Sequence, residues 1–190
     1  MKVGVLALQG DFREHLKAAT ECGHVAVEVR RASELQEVDA LILPGGESTT
    51  IVHLAQVFDL YQPIKDAISN GLPVYGSCAG MILLANHIVD GVENQKTFGG
   101  LDITVRRNAF GRQVDSFESD LEFHNKPIHA VFIRAPWVES VGPHVEVLSV
   151  AAGHPVAVQQ GNLLATSFHP ELTHDLAVHQ YFFEEICKGR

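Results

Sequence analysis

The sequence is poor in cysteine: across 190 residues only Cys22, Cys78 and Cys187 occur. Three cysteines with no C-x-x-C pair make neither a disulfide framework nor a zinc site, and a reducing, cytoplasmic setting is expected. Long hydrophobic runs are missing too. No stretch approaches the roughly 20 apolar residues of a membrane span. Residues 1–8 are apolar but meet Gln9, Gly10 and Asp11 at once, which reads as a first strand rather than a secretory leader. Basic charge is scarce: 14 Lys and Arg face 23 Asp and Glu, a net charge of −9. A nucleic-acid-binding surface needs the opposite balance. The 11 histidines include no His-Glu-x-x-His, and His169, His174 and His179 share no helix face, so no metal and no cofactor are expected. No repeat, low-complexity stretch or linker divides the chain, which predicts one domain over residues 1–190.

What is present is an alternation of strands and helices. Residues 3–8 read as a strand buried on both faces. Phe12, Leu16 and Ala19 recur at helical spacing up to Gly23. Val25, Val27 and Val29 form a second strand and residues 40–43 a third. Ser48 reads as the N-cap of a helix carrying Ile51, Leu54, Ala55 and Phe58. Ile64, Ala67 and Ile68 mark another helix, closed by Asn70-Gly71. Residues 72–75 then read as a strand and 81–85 as a helix. From about Asp90, glycines punctuate short β-type runs at 103–105, 130–133 and 145–148, expected to extend the sheet, some antiparallel. Residues 163–168 form a further strand, and a helix with Leu176, Phe183 and Ile186 closes the chain. The pattern predicts an α/β fold with a mainly parallel central sheet flanked by helices. Ligands of such sheets bind beyond the carboxyl ends of the strands.

Gly76-Ser77-Cys78-Ala79-Gly80 lies between a predicted strand and a predicted helix. A G-x-C-x-G there has the form of a nucleophile elbow with cysteine in place of serine. The helix N-terminus favours the thiolate. Cys78 needs a base, and His169 stands at the end of another predicted strand. Pro170 biases His169 to extended geometry. Residues two apart then share a side, so Glu171 can orient the imidazole. Attack on a carbonyl also needs oxyanion donors. The N–H of Ala79 and a backbone N–H of Gly45-Gly46 are the candidates. A phosphate cradle at Gly45-Gly46 is the weaker reading, because Glu47 puts negative charge where phosphate would sit and no Lys-Ser/Thr ending follows. Cys22 and Cys187 fall in predicted helices and read as packing residues.

Pro44-Gly45-Gly46-Glu47-Ser48, Gly76-Ser77-Cys78-Ala79-Gly80 and His169-Pro170-Glu171 together resemble the class I (triad) glutamine amidotransferases. Leu8-Gln9-Gly10, Glu14-His15, the stretch 107–117 (RNAFGRQVDSF) and Phe132-Ile133-Arg134-Ala135-Pro136 narrow the resemblance to one branch. That branch is the PdxT/SNO family, the glutaminase subunits of pyridoxal 5′-phosphate synthase. Ser77 departs from a threonine common in relatives but keeps the hydroxyl. The resemblance implies a three-layer, flavodoxin-like fold and hydrolysis of L-glutamine to glutamate and ammonia through a Cys78 thioester, with His169 as base and Glu171 as its orienting partner. It implies a glutamine pocket of Gly46, Glu47, Ser48, Arg107, Ile133 and Arg134, and delivery of ammonia to a separate synthase subunit docking near Gln9, Glu14 and His15. It further implies that docking sets the Gly45-Gly46 peptide. An amidotransferase for another acceptor, a silent subunit of the same fold and a nucleotide-binding module are the rival readings.

Overall fold

The computed structural model describes residues 1–92, 94–107, 109 and 116–189. Most of the 107–117 stretch, from Asn108 to Asp115 apart from Ala109, therefore lies outside the described residues.

The central sheet has seven strands. β1 (Lys2–Leu6), β2 (Val25–Val29), β3 (Ala40–Leu43), β4 (Val74–Ser77) and β12 (Leu163–Thr166) run parallel; β10 (Glu146–Ala151) and β11 (His154–Gln160) are antiparallel additions at one edge. The spatial order is β10-β11-β12-β4-β3-β1-β2. β3, β4 and β12 are buried along their whole length, as expected for strands covered on both faces. Alternate residues serve opposite cores. Leu41, Leu43, Val74 and Ala165 pack under α3 (Ser48–Val57), α4 (Tyr61–Ser69) and α5 (Ala79–Leu84). Ala40, Ile42, Tyr75 and Leu164 pack against α1 (Phe12–Glu21), α6 (Ala177–Tyr181) and the π-helical turn Phe182–Ile186.

The second half corrects the sequence reading in two places. Residues 103–105 and 130–133 do form strands, but they do not extend the central sheet. β6 (Leu101–Arg106) pairs with β5 (Ala85–Val89) and β9 (Trp137–Val141) in a separate sheet, and β7 (Ser116–Phe123) pairs only with β8 (Lys126–Ile133). Both small sheets cover the main one: Phe123, Ile128, Ala130 and Phe132 cap one core, and Leu101, Ile103, Val105 and Val138 the other. The predicted helix of 81–85 stops one residue early, because Ala85 turns extended to pair with Leu101. A short helix, α2 (Ala32–Leu35), occupies the connection before β3. Among the described residues no helix is long and apolar enough to cross a membrane.

Candidate active site

Four loops leave the carboxyl ends of β1, β3, β4 and β12, which are neighbours in the sheet, and they converge. β4 delivers Cys78 at φ 48° and ψ −99°, a strained conformation for a side chain with Cβ. The Cys78 N–H donates to the Thr166 carbonyl at 2.8 Å, and α5 starts at the next residue, so the chain is fixed on both sides. The two motif glycines serve packing, since neither has positive φ. A Cβ on Gly80 would lie 2.3 Å from the Leu43 carbonyl oxygen, and one on Gly76 would lie 2.5 Å from the Gly80 backbone. The strain falls on the cysteine, and the glycines let β3, β4 and α5 close around it.

β12 ends at Thr166, and the Thr166 hydroxyl pairs with the Tyr75 hydroxyl at 2.9 Å and donates to the Phe168 carbonyl at 3.0 Å. His169 follows, its N–H donating to Val131 O at 2.9 Å. Glu171 lies in the 3₁₀ turn Pro170–Leu172 rather than in an extended segment, yet His169 Nδ1 and Glu171 Oε1 are 2.7 Å apart. The Ser77 hydroxyl donates to the same carboxylate at 3.1 Å. Burial would lower the His169 imidazole, but hydrogen bonds with the Cys78 sulfur and the Glu171 carboxylate outweigh it and raise it to about 10. Burial would raise the Glu171 carboxyl; His15 and His169 beside it bring it down to about 2. The cysteine, imidazole and carboxylate thus form a connected row, able to generate a nucleophile and shuttle its proton. Asp11, His169 and Glu171 also hold donor atoms within 4.8 Å of one another. The His169 nitrogen that would ligate an ion is the one already bonded to Glu171, which suits orientation of the ring rather than coordination.

The Gly45-Gly46 loop packs directly on this row. A Cβ on Gly45 would meet His169 Cε1 at 2.4 Å. The Gly45 carbonyl accepts from the Asp11 N–H at 3.1 Å, so the N–H of the same trans peptide points away from that turn. Gln9 Oε1 accepts from the Glu47 N–H at 2.8 Å, and Gly46 sits at φ 152° against the Gln9 side chain. Glu47, not Ser48, is the N-cap of α3: its Oε2 accepts from the Thr50 N–H at 2.8 Å. Burial would raise the Glu47 carboxyl, but bonds from Thr49 and Thr50 hold it at about 2. Its other oxygen meets Arg107 Nη2 at 3.0 Å. Gly46, Glu47, Ser48, Arg107, Ile133 and Arg134 line one cavity of about 110 Å³ together with Cys78, Ala79 and Ile82.

The model of the SNO glutamine amidotransferase family matches residues 5–188. The chain belongs to that family. It is 62% identical over 188 residues to the pyridoxal 5′-phosphate synthase subunit PdxT of Parafrankia sp. (strain EAN1pec), covering 97% of this chain and 93% of the relative. It is 62% identical over 190 residues to the PdxT of Mycolicibacterium vanbaalenii, covering 97% of each. A crystal structure of a glutamine amidotransferase superposes with a TM-score of 0.91 at 50% identity, over 96% of this chain and 97% of the other. A putative GMP synthase protein from Thermoplasma acidophilum shares the fold at 17% identity, with a TM-score of 0.69 over 98% and 94% of the two chains.

Of the expected site residues of this SNO-family chain, Cys78, His169 and Glu171 come together in one row. Gly45, Gly46 and Ala79 flank it, and the six expected pocket residues share one cavity. Gln9 is half-buried and Glu14 exposed. His15 does not reach the surface: it is 0% exposed, because α1 turns positions 15, 18 and 19 inward, so its ring meets Glu171 and not a docking surface. Sequence reasoning missed Ile82 and Gln95. The Gln95 Oε1 accepts from Arg107 at 2.7 Å while its Nε2 donates to Ser48 at 3.0 Å, bracing two sides of the cavity.

Proposed function

We infer that this chain is the glutaminase subunit of a pyridoxal 5′-phosphate synthase, hydrolysing L-glutamine and passing the ammonia to a synthase subunit. The observation that carries this reading is the row Cys78–His169–Glu171 opening into the cavity of Gly46, Glu47 and Arg107, in a chain of the SNO family.

The Cys78 sulfur attacks the side-chain amide carbon of glutamine as His169 holds the thiol proton. His169 then gives that proton to the departing nitrogen, which leaves as ammonia. Water, deprotonated by His169, attacks the thioester carbon, and glutamate leaves as the sulfur recovers its proton. Glu171 keeps the imidazole in one tautomer and one orientation. The Ala79 N–H, one of the first-turn donors that a helix leaves without an intrahelical partner, and the Gly46 N–H stabilise the oxyanion in both steps. Arg107 is engaged by Glu47 and Gln95. Arg134 lines the same cavity and, among the described residues, has no carboxylate at ion-pair distance. Arg134 is therefore the cation for the substrate carboxylate, and the exposed part of Glu47 faces its ammonium.

The synthase subunit docks over Gln9 and the exposed Glu14. The Gln9–Asp11 turn holds the oxyanion loop through two hydrogen bonds, so a partner that shifts this turn shifts the Gly45-Gly46 peptide. Glutamate release from L-glutamine, measured with and without a pyridoxal phosphate synthase subunit, tests the whole reading. Activation by that subunit, abolished in Cys78→Ala, is expected. Release that ignores the subunit contradicts the pairing, and release by Cys78→Ala contradicts the chemistry.

A further inference from the structure

Behind the Glu171 carboxylate lies a second layer of polar side chains that the reaction steps do not use. His15 of α1 and His179 of α6 are both 0% exposed. They meet across the edge of Tyr75, with ring centroids 5.8 and 5.7 Å from it. His15 Nδ1 and His179 Nε2 are 3.0 Å apart. His15 Nε2 lies 3.4 Å from Glu171 Oε2, longer than a standard N–H···O bond. Among the described residues His15 Nε2 and His179 Nδ1 have no hydrogen-bond partner at standard geometry. Two imidazoles in an otherwise apolar core are costly unless their donors are used, so the protons can be assigned by elimination.

A bond between two neutral imidazoles needs one N–H and one bare nitrogen. If His15 Nδ1 donates to His179, then His15 Nε2 turns a lone pair toward the carboxylate, and His179 Nδ1 becomes a buried N–H with no acceptor. Both features are unfavourable. If His179 Nε2 donates to His15 Nδ1, then His15 Nε2–H faces Glu171 Oε2, and the one atom left over is a bare nitrogen. A charged His15 would satisfy the carboxylate but leave the His179 Nδ1–H orphaned. The groups facing His15 are His179, Glu171, His169, Asp11 and Glu14, and burial outweighs the three carboxylates and lowers it. His179 faces His15 and Glu171, and burial lowers it to about 3.

We propose that His179 and His15 form a directed chain of N–H donors that positions Glu171, continuing the row as His179–His15–Glu171–His169–Cys78. The proposal rests on the reading of Cys78, His169 and Glu171 as the catalytic triad. Oε1 of Glu171 is held by His169 at 2.7 Å and Oε2 by the Ser77 hydroxyl at 3.1 Å, with His15 Nε2 facing Oε2 at 3.4 Å. Rotating the carboxylate would break contacts at both oxygens. The histidines touch neither substrate nor sulfur and are positioning residues.

The test combines ring-nitrogen NMR of the full chain with kinetics in the presence of a pyridoxal phosphate synthase subunit. Above the ordinary histidine value of about 6.5, both rings are expected neutral with the proton on Nε2. His15→Leu removes the donor and is expected to lower kcat roughly ten- to a hundred-fold with KM little changed, and His169 then loses its proton at lower pH than in the native chain. His15→Gln places an amide N–H where Nε2 was and is expected to recover most of both effects. A proton on His15 Nδ1, a charged His15, or Leu and Gln variants alike in kcat and in His169 titration would overturn the donor chain. If His15→Leu does not fold, the native NMR spectrum and the Gln variant still decide. Activity surviving in Cys78→Ala would sink the triad reading instead, leaving the tautomer result intact.

Discussion

Burial of His179 makes the protein acid-sensitive at a pH where its carboxylates still hold their charge. An unfolded histidine takes up a proton near 6.5, whereas burial first, and then His15, lower His179 to about 3 in the folded chain. A depressed folded value means that the unfolded state binds the proton first as the pH falls. The stabilisation is therefore fully present above 6.5 and is lost progressively from 6.5 toward 3. Between pH 7 and pH 5 the loss from His179 alone is about 2 kcal/mol. His15 is lowered by the same burial and adds to it. Glu171, held at about 2, adds its own loss only as the pH falls from the ordinary carboxylate value of 4.5 toward 2. His169 works in the opposite sense, because its folded value is raised to about 10. Its stabilisation is present below 6.5 and lost as the pH rises toward 10, so between pH 7 and 5 it returns somewhat under about 1 kcal/mol, in the native chain and in a His179 variant alike. The assay is urea unfolding at pH 7 and pH 5 of the native chain and of His179→Phe, which keeps the ring and removes the titration. The native chain is expected to lose about 2 kcal/mol more than the variant over that interval. Equal losses would refute the claim that the ring is held neutral by burial.

Substitutions at three positions probe the packing and hydrogen bonding around the row. Gly80→Ala puts a Cβ 2.3 Å from the Leu43 carbonyl oxygen, which is backbone and cannot turn aside; a loss of roughly 1–3 kcal/mol or more in thermal unfolding is expected. Gly45→Ala drives a methyl into the His169 ring at 2.4 Å, so glutaminase activity should fall at least about tenfold while unfolding shifts far less. Ser77→Ala takes a donor from Glu171, whereas Ser77→Thr keeps it; the first is expected to lower kcat about tenfold and the second to leave most of it.

The parallel core was legible because β1 and β3 lie in continuous apolar runs followed by Gly- or Pro-bearing loops, and β2 shows the alternation of Val25, Val27 and Val29. The row was legible for a related reason: Gly76-Ser77-Cys78-Ala79-Gly80 and His169-Pro170-Glu171 are compact motifs, each directly after a strand. Partnership among the short β runs was not legible, since residues 103–105 and 130–133 have the composition of strands but nothing that names the sheet they join. The cap at Glu47 escaped because Ser48 has the better capping chemistry, whereas Glu47 Oε2 gathers the Thr50 N–H and the Thr49 and Thr50 hydroxyls, and its other oxygen meets Arg107 from 60 residues away. Gln95 carried no local signal at all. His15 did carry one: it lies on the face defined by Phe12, Leu16 and Ala19, and that periodicity alone pointed it inward, toward Glu171.

The most direct measurement of the central claim is labelling of the native chain, with the synthase subunit present, by a glutamine-analogue electrophile, the modified residue being located by peptide mass. Cys78 stands at the cavity beside His169, whereas burial and the nearby Glu184 and Glu21 carboxylates push the Cys22 thiol up to about 11, and Cys187 is buried. The account predicts one label per chain, on Cys78, prevented by L-glutamine and absent from His169→Ala. Label on Cys22 or Cys187, or label on Cys78 that L-glutamine does not prevent, would contradict it.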